Sequence, residues 1–238
     1  MNIALIFAGG TGQRMNTSSI PKQFLLVHGK PIIIHTIENF QSSEAIDKIV
    51  VASLKDYIPY MFKLKEEYKL SKIENVVPGG KNGQESIYNA LLEISKFAKN
   101  DDVVLIHDGV RPIVDDDTIK KNIESVKKYG SGITVTPAIE SLLILDDKNK
   151  GRVINRKFAH YERAPQSFRF KDIFDAHKMA IKENKLDFID SGELMYHYGH
   201  DLYPIEGSVN NIKVTTPMDF FMFKAMLDAK ENEQINIL

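Results

Sequence analysis

The sequence predicts an α/β protein: a mainly parallel sheet covered by helices on both faces, with one β-hairpin projecting as an arm. Three observations carry this expectation. Short apolar, β-rich runs recur along the chain and are unbroken rather than alternating, as strands buried on both faces require. Amphipathic stretches at helical spacing lie between them, so the order is repeatedly strand, loop, helix. Between Ala138 and Asn155 that rhythm breaks, because an apolar run meets a polar turn and a second short apolar run follows.

Taken in order, Ile3–Phe7, Lys48–Ala52, Glu74–Val77, Val103–Ile106 and Ile133–Thr136 are expected to be central strands. Pro31–Phe40, Asp56–Tyr68, Gln84–Phe97 and Thr118–Tyr129 place apolar residues on one helical face and are expected to be the crossover helices. Leu142–Leu145, the turn Asp146 to Gly151, and Val153-Ile154 read as a hairpin. Its apolar residues would be poorly covered on an isolated arm, so a partner subunit is their natural cover. Thr216 offers an N-cap and Pro217 the first position of a last helix running to about Ala229, with a polar tail that frays from Lys230. There is no internal repeat, low-complexity tract or linker-like stretch, and one domain over residues 1–238, with an arm at about 138–156, is expected.

Composition narrows the function classes. The chain has 31 Lys and Arg against 32 Asp and Glu, so no global field draws it to nucleic acid or to an anionic membrane, and neither partner is expected. It has no cysteine, which excludes disulfides, thiolate metal sites and a cysteine nucleophile. The first strand begins directly after Met1 without the pattern of a signal peptide, and no apolar run approaches the roughly 20 residues of a membrane span. A cytoplasmic location is expected.

Chemistry first shows in Ala8-Gly9-Gly10-Thr11-Gly12-Gln13-Arg14-Met15, followed by Pro21-Lys22-Gln23, directly after the first strand. Glycines let the backbone approach a ligand and turn its N–H groups towards anionic oxygens, while Arg14 and Lys22 bring the charge a triphosphate needs. The spacing is neither that of a Walker loop nor that of the dinucleotide fingerprint. A glycine-rich turn with two solvated cations is the plain alternative.

The segment resembles the signature of the nucleotidyltransferases that activate polyol and sugar phosphates, G-G-x-G-x-R-M followed by P-K-Q. Gly79-Gly80 with Ser86, His107-Asp108-Gly109-Val110-Arg111-Pro112, Asn155-Arg156, Ala164-Pro165-Gln166-Ser167-Phe168, Asp190, and Asn211 to Pro217 match the cytidylyltransferase branch in order, over nearly the whole chain. The resemblance implies a Rossmann-like fold of the nucleotidyltransferase type, with CTP and a small polyol phosphate as substrates and Mg²⁺ as cofactor. It implies an in-line attack of the polyol phosphate oxygen on the α-phosphorus of CTP, a step whose barrier is charge and alignment and is met by positioned cations. By similarity, Arg14 and Lys22 hold the triphosphate and Lys213 reaches the α-phosphate from a late strand, making these the catalytic residues. Ala8, Gly9, Gly10, Gly12, Gly80 and Ser86 would bind the nucleotide, with the backbone at Ala8 and Gly80 and the Ser86 hydroxyl reading cytosine.

Asp108, after a buried strand, would meet ribose, acceptor hydroxyls or hydrated Mg²⁺, and it is the one residue singled out as a possible metal contact. Arg111 is assigned to bracing that loop through a carboxylate. Glu140, Ser141, Asp190, Thr215 and Arg156 would form the acceptor site, with Arg156 crossing a homodimer interface. A plain helix-start serine is the alternative for Ser86, and a solvated arginine for Arg156. The histidines at 28, 35, 160, 177, 197 and 200 lack metal-ligand spacing, and Asp115-Asp116-Asp117 suits a helix N-terminus better than a metal.

Two departures stand out. Gly83 occupies the place of an arginine usual in G-G-x-x-R-x-x-S, and Glu140-Ser141 replaces Asp-Thr at the hairpin entrance. Val110 and Asn155 tilt the acceptor towards D-ribitol 5-phosphate, with 2-C-methyl-D-erythritol 4-phosphate as the alternative. An enzyme using another nucleotide, and a nucleotide-binding protein that has lost catalysis, are the remaining readings.

Overall fold

The computed structural model describes residues 1–10 and 20–231. In chain order the elements are β1 (Asn2–Ala8), the short pair β2 (Leu26–Val27) and β3 (Lys30–Pro31), α1 (Ile32–Ser42), β4 (Lys48–Ser53), α2 (Ile58–Glu67), β5 (Ile73–Pro78), α3 (Gly83–Ile94), β6 (Val103–Asp108), α4 (Asp116–Tyr129) and β7 (Ser131–Pro137). There follow β8 (Leu142–Leu145), β9 (Gly151–Ile154), β10 (His160–Arg169), α5 (Phe170–Lys182), α6 (Ser191–His197), β11 (Pro204–Glu206) and α7 (Pro217–Glu231). The strands form a seven-stranded sheet in the order β11-β7-β10-β6-β1-β4-β5. Neighbours are parallel except at β10, which runs antiparallel to both β6 and β7.

Both faces of the sheet are buried, and the strand alternation sorts them. Ala4, Ile6, Val51 and Leu105 pack beneath helices α1, α2 and α4 with Ile37, Phe40, Leu64 and Val126. Ile3, Leu5, Val50, Val104 and Ile106 face the other way, onto Ala90, Leu91 and Ile94 of α3 and Ile173 and Ala176 of α5. Two-sided burial is the reason these strands read as unbroken apolar runs. Local chemistry sets the helix ends. The Asp115 side chain accepts the N–H of Thr118 to start α4, and Gly130, at φ +95°, ends it in the left-handed conformation that glycine tolerates. Thr216 Oγ1 accepts from Asp219 N while Asp219 Oδ2 accepts from Thr216 N, a reciprocal box at the head of α7.

Three expectations need correction. The run at Glu74–Val77 forms β5, but β5 is an edge strand with Glu74 exposed, not a central one. The central position between β6 and β7 belongs to β10, whose polar start His160-Tyr161-Glu162-Arg163 and Pro165 hide it from an apolar-run criterion. Lys213 does not lie on a strand: residues 211–215 have no regular secondary structure and are tied by Val214 N to Val110 O at 2.8 Å. The hairpin is as expected, β8 pairing only with β9, and leaves Leu143, Ile144, Leu145 and Val153 exposed. No helix of the described residues is long and apolar enough to cross a membrane.

Phe168 of β10 is fully buried at the centre of the sheet. Phe168→Ala is expected to cost about 3–5 kcal/mol, measured by urea denaturation; a loss below about 1 kcal/mol would show that β10 is not a core strand.

Candidate active site

The carboxyl ends of β1 and β6 and the first half of β10 border one cleft of about 370 Å³, lined among others by Asp108, Arg111, Glu162, Arg163, Asp190 and Lys213. Ligand crevices of open α/β sheets lie at this end. The glycine segment enters from β1. Gln23, itself buried, donates its amide to Ala8 O at 2.8 Å and to Gly10 O at 3.2 Å, fixing the start of that segment from the Pro21-Lys22-Gln23 side. A Cβ at Gly9 would lie 2.7 Å from Ser86 Oγ, and one at Gly79 would lie 2.9 Å from Gly9 Cα. Two backbone loops meet here at a distance that only glycine permits.

Ser86 holds the second loop. Its Oγ accepts the N–H of Gly80 at 2.9 Å and gives its hydrogen to Asn82 O at 2.7 Å. Asn82 caps α3 through Glu85 N, and Gln84 ties the helix start to Lys185 O and Phe188 N. The Ser86 hydrogen expected to read cytosine is thus committed to the loop. Gly83 stands exposed in this turn, and a Cβ added there would meet only Phe7, at 3.8 Å, so the place of the usual arginine is open space.

At the end of β6 lies the central ion cluster. Asp108 is 5% exposed; its Oδ1 is 2.6 Å from Lys213 Nζ, and its Oδ2 is 3.2 Å from Arg111 Nε and Nη2. Arg111 also donates to Asn211 O at 2.7 Å and so ties the β6 loop to the segment that carries Lys213. Burial opposes the ionisation of Asp108, but the Lys213 and Arg111 cations outweigh it and hold the carboxyl at about 2. His107, fully buried beside it, donates Nε2–H to Arg111 O at 3.0 Å; burial lowers its pKa to about 4 and keeps it neutral. Arg111 makes the carboxylate pair expected of it, and His107, given no role of its own in the sequence, ties the same loop through Arg111 O.

The remaining site residues fall into separate groups. Asp190 lines the same cleft and caps α6 through Glu193 N. Thr215 spends both its N–H and its hydroxyl on Asp219 Oδ2, at 2.9 and 2.7 Å, at the head of α7. Glu140 and Ser141 are exposed at the root of the arm. Arg156 is exposed too, in a 3-10 turn, and donates to Ile139 O at 2.7 Å. Ser141 and Arg156 line a shallow depression with Pro137, Ala138 and Asn155, apart from the cleft of their own chain. Lys22 is half-buried in the turn after Pro21. Gly12 and Arg14 lie outside the described residues.

Sequence reasoning missed Glu162 and Arg163, which lie on the cleft wall. Their one signal was a pair of opposite charges directly before Ala164-Pro165-Gln166. Of the residues set aside, Asp115 is the α4 cap and Asp116 and Asp117 pair along the helix with Lys120 and Lys121. Among the described residues no group of three His, Asp or Glu is placed to hold a metal ion.

A parallel sheet whose strand ends carry glycine loops, a buried carboxylate and a cation aimed into a cleft defines a nucleotide-binding α/β protein of the nucleotidyltransferase type. Comparison with known proteins gives the family. The model of the IspD family, 2-C-methyl-D-erythritol 4-phosphate cytidylyltransferase, matches residues 2–229. A ribitol-5-phosphate cytidylyltransferase of Streptococcus agalactiae serotype V is 50% identical over 236 residues, covering 99% of this chain and 98% of that protein. A 2-C-methyl-D-erythritol 4-phosphate cytidylyltransferase of Clostridium botulinum is 38% identical over 230 residues, covering 95% and 97%. Among solved structures, 4-diphosphocytidyl-2C-methyl-D-erythritol synthase from Anaerococcus prevotii superposes with a TM-score of 0.81 at 25% identity, covering 95% of each chain. The chain belongs to the IspD family of cytidylyltransferases. It is a CTP-dependent nucleotidyltransferase.

The Asp108 cluster sets an acid limb. Its folded pKa, about 2, lies below the ordinary 3.8, so its stabilisation is complete above about pH 4 and is lost as pH falls through about 2. Asp108→Asn is expected to remove a contribution of about 2 kcal/mol from the difference in urea-measured stability between pH 7 and pH 2; an unchanged pH dependence would show that the carboxylate is not held in this pair.

Proposed function

We propose that the chain transfers CMP from CTP to D-ribitol 5-phosphate, giving CDP-ribitol and pyrophosphate. The observation that carries the reaction is Lys213 Nζ held 2.6 Å from the buried Asp108 at the carboxyl end of β6. The acceptor rests on the 50% identity to a relative bearing the ribitol-5-phosphate name. 2-C-methyl-D-erythritol 4-phosphate remains the second reading, because the family model and a 38% identical relative carry that name.

In this reading Asp108 and Arg111 hold Lys213 so that its ammonium meets the α-phosphate, while Arg14 and Lys22 hold the β- and γ-phosphates. The backbone of Ala8, Gly9, Gly10, Gly12 and Gly80 approaches the nucleotide, and Ser86 acts through the loop it braces. An oxygen of the acceptor phosphate attacks the α-phosphorus; the bond to the β-phosphate oxygen breaks, and pyrophosphate leaves with that electron pair. Positioned cations stabilise the charge gathered at phosphorus without moving during the step. Asp108 would offer Mg²⁺ a carboxylate oxygen once Lys213 turns from it to the nucleotide, and CTP oxygens and waters would supply the rest, since the ion needs no all-protein cage. When bound it supplies further neutralisation of the two phosphate groups.

The chain works in this proposal as one domain over residues 1–238, in the cytoplasm, and as a homodimer. Val153 and Phe158 are 74% and 76% exposed on and beside the arm, a surface costly to leave in water and covered most simply by a second copy in a two-fold arrangement. Arg156, with Glu140 and Ser141, would then complete the neighbour's acceptor site, and Asp190 and Thr215 would serve the acceptor from within the chain.

Pyrophosphate release with CTP, Mg²⁺ and a panel of polyol phosphates tests the assignment. Turnover with D-ribitol 5-phosphate is expected, abolished by chelation; CTP binding without turnover on any acceptor would leave a nucleotide-binding protein. Lys22→Ala and Lys213→Ala are each expected to lower kcat about a hundredfold or more, and near-wild-type turnover in either folded variant would defeat the mechanism. Mixing inactive Arg156→Ala with inactive Lys22→Ala is expected to restore activity through hybrid dimers with one intact site. No recovery despite demonstrated subunit exchange would place Arg156 in its own chain's site or in none.

A further inference from the structure

The wall of the cleft carries an acidic cluster that the nucleotide chemistry leaves unused. Gln166 organises it. Its Oε1 accepts the N–H groups of Ser191 and Gly192, each at 3.0 Å, which fixes the amide orientation. Its Nε2 therefore faces outward and donates to Glu162 Oε2 and Asp190 Oδ2, both at 3.0 Å. Gly192 makes the room: a Cβ there would lie 2.6 Å from Glu162 Oε2. Glu162 as a residue is exposed to the cleft, while its carboxyl end is set against Gln166, Asp190 and Gly192. Beside it the Ser191 hydroxyl is buried with no hydrogen-bond partner and also lines the cleft.

As a purely structural device this cluster is poorly made. Burial of the carboxyl end, the Asp190 charge and hydrogen bond, and Glu193 raise Glu162 to about 7, and among the described residues neither Glu162 nor Asp190 has an ion-pair partner. Two carboxyl groups held together without a cation cost stability, and such an arrangement in a cleft points to a ligand. The cations form a separate group. Lys213 and Arg111 surround Asp108, and the half-buried Arg163, linked among the described residues to Thr136 Oγ1 and the Tyr161 ring, shares the lining. The cleft thus holds a cationic group around Asp108 and, among the described residues, a separate acidic group with no ion pair joining them. The acidic group repels a phosphate; hydroxyls, which both donate and accept, suit a pair of carboxyl groups with a spare serine hydroxyl.

We infer that Glu162, paired with Asp190 through Gln166, is a specificity-determining residue that binds the distal hydroxyls of the polyol acceptor while its phosphate lies with the cationic group around Lys213. This deepens the proposed function and rests on it for the identity of the acceptor. It accounts for how one cleft takes a molecule that is anionic at one terminus and hydroxylated along the rest.

Steady-state kinetics of the full chain with CTP and Mg²⁺ test it, comparing D-ribitol 5-phosphate with glycerol 3-phosphate, a shortened polyol phosphate taken as substrate or as competitive inhibitor. Glu162→Gln, nearly isosteric, is expected to lower kcat/KM for D-ribitol 5-phosphate about tenfold. The KM for CTP and the constant for glycerol 3-phosphate should stay within about twofold. Gly192→Ala, which displaces the carboxylate without removing it, is expected to give the same split. Equal losses for both acceptors, or no loss for either, would overturn the inference and leave Glu162 a structural residue. Wild-type turnover with a different polyol phosphate would revise the proposed acceptor alone, and the same ratio is then taken with that compound; if no acceptor turns over, calorimetric binding of D-ribitol 5-phosphate to wild type and Glu162→Gln decides, equal affinity overturning the inference.

Discussion

A buried carboxylate needs a reason to stay charged, and Asp108 has two, the ammonium of Lys213 and the guanidinium of Arg111. The pairing joins distant parts of the chain. Arg111 reaches Asn211 O, Val214 N reaches Val110 O, and Asn211 donates to Ala164 O at 2.7 Å, so the β6 end, the segment before α7 and the register shift within β10 are fastened to one another. Remove the carboxylate and a partly desolvated cation pair loses its counter-charge, which costs more than any single hydrogen bond in the network. The same charge that holds the loop keeps Lys213 pointed into the cleft. Stability of the loop and positioning of the Lys213 ammonium are thus one interaction.

The parallel half of the sheet was legible because two-sided burial writes itself into sequence as unbroken apolar runs, and Ile3, Ile49 and Val104 all report it. The caps were legible for a local reason as well: Asp115 and Thr216 act within three residues of themselves. β10 was not, since its strand character comes from pairing with β6 and β7 on either side while its own residues include Glu162, Arg163 and Pro165. Long-range pairing overrides local pattern there. β5 read as central for the opposite reason, its apolar residues being buried against helices although one edge is free.

Of the site, Asp108 and Lys213 were legible as parts of motifs, and the structure brings Asp108, Lys213 and Asp190 to one cleft. What could not be read was which polar groups spend themselves on one another. Ser86 gives its hydrogen to Asn82, and Thr215 gives its hydroxyl to Asp219. Glu162 is 28 residues from Asp190 in sequence, and only the fold sets both on Gln166. Hydrogen-bond bookkeeping of this kind is a property of the assembled structure and leaves no periodic trace in the chain.

In the proposed function Lys213 is handed from the Asp108 carboxylate to the α-phosphate when nucleotide binds. A crystal structure of the chain with Mg²⁺ and a non-hydrolysable CTP analogue measures this directly. Such a handover places Lys213 Nζ at about 3 Å from an α-phosphate oxygen, with Arg111 still on Asp108. An α-phosphate bound out of reach of Lys213, with its ammonium unmoved on Asp108, would contradict it.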